Sequence, residues 1–242
     1  MSPVGPVPGP RVVSLVPSLT ESLAAWGVVP LACTRFCERP DLPQVGGTKD
    51  PDVDAIVALR PDLVVVCDEE NRREDFDALV AAGIAVHSCS PRSVADVGPA
   101  LEELAVRLDL DVARHQGPID HPPLDLRAFV PVWRRPWMTM NRATYGSDLL
   151  ARLGVVNVYD SDPERYPTTD LATVRSRSPD VVLAPSEPYP FRTRHLEELN
   201  TVAPTILLDG QDLFWWGVRT PDAMVRLRRA IAGGEVHAEN GA

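Results

Sequence analysis

Lysine is almost missing from this chain. Lys49 is the only one among 242 residues, the other basic residues are arginines, and the formal net charge is −10. So acidic a surface lacks the clustered positive charge of a phosphate-backbone interface, which excludes nucleic acid as a dominant partner. Long apolar runs are also missing: no stretch approaches the uncharged length that spans a bilayer, so membrane insertion is excluded. Residues 1–10 have neither the basic nor the apolar portion of an export leader. The expected location is therefore cytoplasmic as written, and extracytoplasmic for a chain with a leader upstream. Cysteine is sparse, with Cys33, Cys37, Cys67 and Cys89 all in the first half, and free buried thiols are expected in preference to a disulfide or metal pair. Cys33 and Cys37 are too far apart for a CxxC knuckle, and the five histidines are scattered, so no metal ligand is assigned. A nucleophile elbow, a P-loop and a Gly-rich dinucleotide fingerprint are all absent, and Ser186 lacks the glycines an elbow needs. No catalytic residue is assigned, and a binding protein is favoured over an enzyme.

What is present is a repeat. Residues 53–66 return as 171–184: a short apolar-periodic helix, a Pro-Asp break at Pro61 and again at Pro179, and a continuous aliphatic strand. Around each copy the order is the same. Strands are expected at 12–16, 28–33, 63–66 and 84–87, and then at 129–133, 181–184 and 205–208. Helices are expected from Leu19 to Gly27, with Ser18 or Thr20 as N-cap, and at 72–82, 194–200 and 221–231. Residues 148–156 echo residues 21–29. Strands alternating with helices imply parallel sheets covered on both faces, so the fold class is α/β with two Rossmann-like lobes and a ligand cleft between them. The expected organisation is a disordered arm at 1–10, an N-terminal lobe at 11–90, a linker helix and irregular connector at 91–127, a C-terminal lobe at 128–232 and a tail at 233–242. The linker reads as a helix over 94–108, weakened by Gly98-Pro99 and followed by prolines at 118, 122 and 123 that cannot continue it.

Ligands of parallel α/β sheets gather at the carboxyl ends of strands, so the segments after each strand hold the candidate site. Four of the five tryptophans fall there in the second half: Trp133, Trp137, Trp215 and Trp216. Adjacent indoles in a Gly-flanked loop suit a large flat ligand, or else cap the lobe's own core. Asp68-Glu69-Glu70-Asn71 packs three acids at a strand end. Either a cation, an arginine or a helix N-terminus offsets them, or Asp68 or Asn71 simply caps the next helix. Gly46-Gly47-Thr48 offers backbone N–H groups to a ligand or forms a tight turn.

The start Arg11-Val12-Val13-Ser14-Leu15-Val16-Pro17-Ser18-Leu19-Thr20-Glu21, the Val45-Gly46-Gly47-Thr48 loop and both Pro-Asp units resemble the cobalamin and ferric-siderophore substrate-binding proteins of ABC importers. These are the helical-backbone metal receptors, or class III periplasmic binding proteins, and the resemblance to the cobalamin-binding branch covers residues 11–231. It implies two α/β lobes joined by a long helix, with a corrinoid or other chelate held by aromatic and polar side chains and little hinge motion. Phe36 falls at a pocket-aromatic position, Trp137, Tyr166 and Trp215 at or beside others, and Thr48 where a pocket tryptophan can stand. Arg142 and Arg219 are placed to meet amide or carboxylate oxygens of the ligand. The family docks its permease through one acidic residue on the repeated helix of each lobe; those positions read Asp54 and Ala172 here, so one anchor is missing. The linking helix also looks shortened.

The expected function is non-catalytic binding of a cobalamin-like corrinoid or another metal chelate, such as a ferric siderophore or haem. Phe36, Trp133, Trp137, Tyr166, Trp215 and Trp216 would stack on it, and Glu69, Glu70, Asn71 and the arginines would hydrogen-bond. No resident cofactor is required, and an ABC permease is a possible partner. The alternatives are an intracellular enzyme or cofactor-handling protein on the same frame, and a protein-interaction module with a Trp-rich face.

Overall fold

The computed structural model describes residues 9–112 and 122–234. Most of the expected N-terminal arm, Pro118 of the connector and the tail beyond 234 lie outside the described residues. The chain divides into two compact units. One runs through Ser90 and resumes at Gly98; the other takes Pro91–Val97 and the described residues from 122 on.

The first unit contains β1 (Val12–Ser14), α1 (Pro17–Ala25), β2 (Ala32–Cys33), α2 (Val53–Leu59), β3 (Leu63–Val66), α3 (Arg73–Ala81) and β4 (Val86–Ser88), after which α4 (Val94–Arg107) crosses the division. Its sheet runs β2-β1-β3-β4 with every pair parallel. Leu63–Val66 is a continuous aliphatic run, as a strand covered on both faces requires, and all four residues are buried. Val13, Leu15, Val64 and Val66 pack with Ile56 of α2 and Leu79 of α3. Each fully buried side chain of this size contributes about 1.5–3 kcal/mol.

The second unit repeats the plan. Its elements are β5 (Leu126–Phe129), β6 (Trp137–Met138), α5 (Tyr145–Arg152), β7 (Val155–Asn157), β8 (Thr168–Thr169), α6 (Leu171–Ser176), β9 (Val181–Pro185), a 3-10 turn at Thr193–His195, α7 (Leu196–Leu199), β10 (Thr205–Leu208), α8 (Gly210–Phe214) and α9 (Thr220–Gly233). The main sheet runs β10-β9-β5-β7, again all parallel, so β5 and β9 stand where β1 and β3 stand in the first unit. Phe129, Tyr159, Val174, Val182, Phe191 and Leu207 form its core. The α/β class with parallel sheets in two groups is as the sequence implies.

The geometry explains why the helix-Pro-Asp-strand unit recurs. Asp52 caps α2 by accepting from the Ala55 N–H at 2.9 Å, and Asp170 caps α6 by accepting from Thr173 N–H at 2.8 Å. Each helix is followed by a non-glycine residue in the left-handed region, Arg60 at φ 48° and Ser178 at φ 51°, just before its proline. The aspartate after that proline then accepts from the backbone N–H of the arginine that leads into the central strand, Arg11 to Asp62 at 3.0 Å and Arg127 to Asp180 at 2.8 Å. The same arginines close the helix ends through their guanidinium groups. Arg11 donates to the carbonyls of Leu59 (2.6 Å) and Arg60 (3.3 Å), and Arg127 to those of Arg177 (2.9 Å) and Ser178 (3.4 Å). Arginine at 11 and 127 belongs to the repeat as much as the Pro-Asp pair does.

Several expectations shift. Neither Ser18 nor Thr20 caps α1: Val16 holds the N-cap position without a side-chain bond, Pro17 opens the helix, and the Thr20 hydroxyl donates to the Val16 carbonyl at 3.0 Å. The first strand of the second unit lies at Leu126–Phe129 rather than 129–133, because Pro131 interrupts the expected run. The antiparallel pair β6–β8 has no counterpart in the first unit. In α5's exit turn Gly154 adopts φ +78° with Pro123 and Leu124 so close that a Cβ would overlap them, which fixes glycine there.

Two buried histidines make stability depend on pH. His87 of β4 sits 3.8 Å from Glu103, and His195 packs against Tyr189 and Phe191. Burial lowers both pKa values below the usual 6.5; Arg107 adds to this at His87, and Arg194 and Arg134 at His195. The unfolded chain therefore takes up these protons first. Their contribution is complete above the unfolded pKa near 6.5 and is lost as the pH falls below it toward the folded values. Urea denaturation is expected to show a lower midpoint at about pH 5.5 than at about pH 7.5. His87→Gln should narrow that gap; an unchanged gap would remove His87 from the explanation.

Candidate functional site

In the first unit the chain leaves β1 for one side and returns to the other through β3, so the strand order switches between these two strands. Such a switch is where α/β sheets usually take ligands. Asn71 fills it. Its side chain is buried, its Oδ1 accepts from Cys67 N–H at 2.8 Å, and its Nδ2 donates to the carbonyls of Leu15 (3.2 Å) and Thr48 (2.9 Å). Asn71 thus does not cap α3, which corrects that sequence reading, and its amide is taken up by main-chain groups. Asp68 does not cap α3 either; the N-cap is Arg72, without a side-chain bond.

Around this amide the loops are tied to one another. Lys49 Nζ donates to the Glu69 carbonyl at 2.8 Å, and the Asp68 N–H donates to Ser90 Oγ at 2.9 Å. Arg35 forms a forked pair with Asp50, 2.9 Å at the shortest, while its guanidinium lies 4.8 Å from the Phe36 ring centre. Phe36 itself is half exposed. Gly46 is required at its position: φ is +85°, and an added Cβ would run into the Asp50 carbonyl. Thr48, Glu69 and Glu70 are partly buried in the same loops. Lys49 and Arg35 were missed by the sequence reading, although the single lysine beside a Gly-Gly-Thr turn was a usable signal.

In the second unit the aromatic candidates separate into two groups. Main-chain bonds from Thr139 N–H to the Pro167 carbonyl (3.1 Å) and from Asn141 N–H to the Arg165 carbonyl (2.9 Å) bring the Tyr166 segment beside the Trp137 segment. Trp137 stacks on Phe191 with ring centres 5.9 Å apart and planes 5° apart, and Arg134, paired with Glu198 at 2.7 Å, lies 5.9 Å from the Trp137 ring. Trp133 packs edge-on against Tyr189. Trp133 and Tyr166 stay exposed at 44% and 39%. Arg142 is exposed two residues before Thr144, the N-cap of α5.

The second group follows β10. Trp216 is buried and Trp215 is partly exposed, so the two adjacent indoles have different roles. Trp216 lies among the buried hydrophobic residues, as the core-capping alternative expects. Trp215 carries the Arg219 guanidinium 5.1 Å from its ring centre. Behind them the buried Asp212 accepts from Arg226 at 2.7 and 2.6 Å and lies 3.9 Å from Arg219. Asp212 and Tyr189 also escaped the sequence reading.

The four thiols are free and buried. Burial pushes those of Cys33, Cys67 and Cys89 up to about 12, so at neutral pH they are poor nucleophiles and poor metal ligands. Among the described residues no group of three His, Cys, Asp or Glu side chains could hold a metal ion. No helix among them is long and apolar enough to cross a membrane. The exposed side chains in these loops include the rings of Phe36, Trp133 and Tyr166, which suit a flat ligand.

A family model described as "Periplasmic binding protein" matches residues 12–116. A vitamin B12-binding protein of Pectobacterium carotovorum is 24% identical over 198 residues, 74% of this chain and 72% of the relative. Over most of its length the chain is similar to periplasmic binding proteins. Among solved structures, the periplasmic vitamin B12-binding protein of Vibrio cholerae has the same fold, with a TM-score of 0.70 at 19% identity and coverage of 95% of this chain and 99% of that one. A periplasmic heme-binding protein of Pseudomonas aeruginosa gives 0.73 at 18% identity, covering 92% of each. At the positions where the resemblance puts the docking acids of such binding proteins, Asp54 is exposed on α2 and Ala172 is exposed on α6.

Proposed function

We propose that this protein is a non-catalytic receptor for a metal chelate of the tetrapyrrole kind, a corrinoid or haem, as the substrate-binding component of an ABC-type importer. One observation carries the reading: aromatic rings stay exposed or partly exposed in the loops of each unit. Phe36 is exposed in the first unit and Trp133 and Tyr166 in the second, where Trp215 and Arg219 are partly exposed. A corrinoid carrying both axial ligands already satisfies its metal, so for it the protein supplies stacking and edge hydrogen bonds; haem leaves axial positions open. Relatives named for vitamin B12 and for heme support both members of the ligand class. Isothermal titration with cyanocobalamin, haem and a ferric siderophore is expected to give saturable binding for at least one tetrapyrrole. Silence from all three, with the protein folded, would overturn the proposal.

Ala172 favours a second reading of the partner. Where a buried permease arginine meets alanine in place of a carboxylate, the unpaired charge costs about 2–5 kcal/mol. A chain with only Asp54 then serves retention or handling of the chelate better than import. Ala172→Glu raising the affinity for a cognate permease would support docking at this face; no change would support handling.

A further inference from the structure

We propose that Asn71 is the positioning residue of the first unit, fixing the loops that present its ligand-facing groups; this rests on the receptor reading above. Its side-chain amide makes three bonds to three separate segments: the end of β1 at Leu15, the Gly46–Asp50 loop at Thr48, and the end of β3 at Cys67. Both of its N–H donors are used, and all three partners are main-chain groups. Two side-chain ties join the Gly46–Asp50 loop to the Cys67–Asn71 turn, Asn71 from inside and Lys49 from the surface, and Lys49 is exposed. Asn71 is 7% exposed, so its bonds are shielded from water in a way that the Lys49 bond is not. The same loop holds Asp50, which forks onto Arg35 beside the half-exposed Phe36. Through Thr48, Asn71 therefore sets where Phe36 and Arg35 stand without touching a ligand itself.

The chemistry makes asparagine specific here. Aspartate of the same shape keeps the acceptor for Cys67 N–H but turns both donors into acceptors facing the carbonyls of Leu15 and Thr48. Serine is neutral and too short to reach both carbonyls. A binding-competent loop that is only partly populated weakens the apparent affinity in proportion, so a loop ordered about a tenth of the time loses about tenfold.

The test compares wild type, Asn71→Ser and Asn71→Asp, with Asn200→Asp as control, because Asn200 acts only as an acceptor, toward Thr205 N–H at 2.9 Å. Amide hydrogen exchange across residues 46–50 and the association rate for haem or cyanocobalamin are read at a urea concentration where every variant is folded. The expected result is faster exchange confined to these loops and about tenfold slower association in Asn71→Ser. Asn200→Asp should change neither. A lower denaturation midpoint with unchanged loop exchange and unchanged association in Asn71→Ser would reduce Asn71 to a structural residue and overturn the proposal. If wild type binds no tetrapyrrole, the receptor reading fails on its own. The exchange arm still decides whether Asn71 orders these loops.

Discussion

Trp216→Ala is expected to destabilise the second unit by about 3–5 kcal/mol, the range for emptying a buried aromatic site. Its neighbour behaves differently. Trp215 is partly exposed under the Arg219 guanidinium, so Trp215→Ala should cost about 1 kcal/mol or less in stability, the scale of a cation–π contact near the surface. The receptor reading adds a second axis: Trp215→Ala should weaken tetrapyrrole binding by about tenfold to a hundredfold, as loss of a stacked ring does. Trp216→Ala, measured where it is still folded, should leave affinity nearly intact. Chemical denaturation and ligand titration of the two variants check this. Equal stability losses for the two indoles would contradict the assignment of one to the core and one to the surface.

Asp212→Ala carries the second largest effect. Asp212 is 4% exposed and holds Arg226 of α9 through two short bonds, which anchors α8 and the Trp215 turn to that helix. Breaking a fully buried pair costs about 3–5 kcal/mol because a charge is left stranded. Here the Arg226 side chain is 47% exposed and can recover water, so the expected loss is about 2 kcal/mol. The contrast is Arg73–Asp77, with 78% and 56% of the side chains exposed, where Asp77→Ala should change stability by less than about 0.5 kcal/mol. Thermal unfolding of the two variants separates the cases. A loss for Asp212→Ala no larger than that for Asp77→Ala would mean that α8 is held by packing alone.

The parts of the fold that the sequence announced are those where local chemistry and tertiary packing agree. Leu63–Val66 and Thr205–Leu208 fall where the aliphatic runs put them, because a strand buried on both faces needs nothing else. Elements whose cause lies elsewhere in the chain stayed hidden. The β6–β8 pair exists because the segment around Pro167 returns to residues 137–141, a contact that no local pattern encodes. The site was legible by type more than by role. Strand-end position identified Trp133, Trp215 and Arg219, and the structure leaves Trp133 exposed and Trp215 and Arg219 partly exposed. The same rule did not show that Asn71 and Trp216 are buried, since position along the chain does not reveal whether an amide turns to the main chain or an indole turns inward. Asn71 could have been suspected from its place at the end of the β1/β3 switch, where carbonyls left by two strands need donors.

If the protein is the proposed receptor, a tetrapyrrole chelate lies against segments that follow the strands of a parallel sheet. Hydrogen exchange with and without saturating cyanocobalamin or haem tests it most directly. Slower exchange is expected in one or more of these regions: residues 35–50 of the first unit, and residues 133–142 with 165–169 or residues 211–219 of the second. No change is expected on helix α3. Unchanged exchange in all of these segments, or protection centred on α3, would contradict the receptor reading.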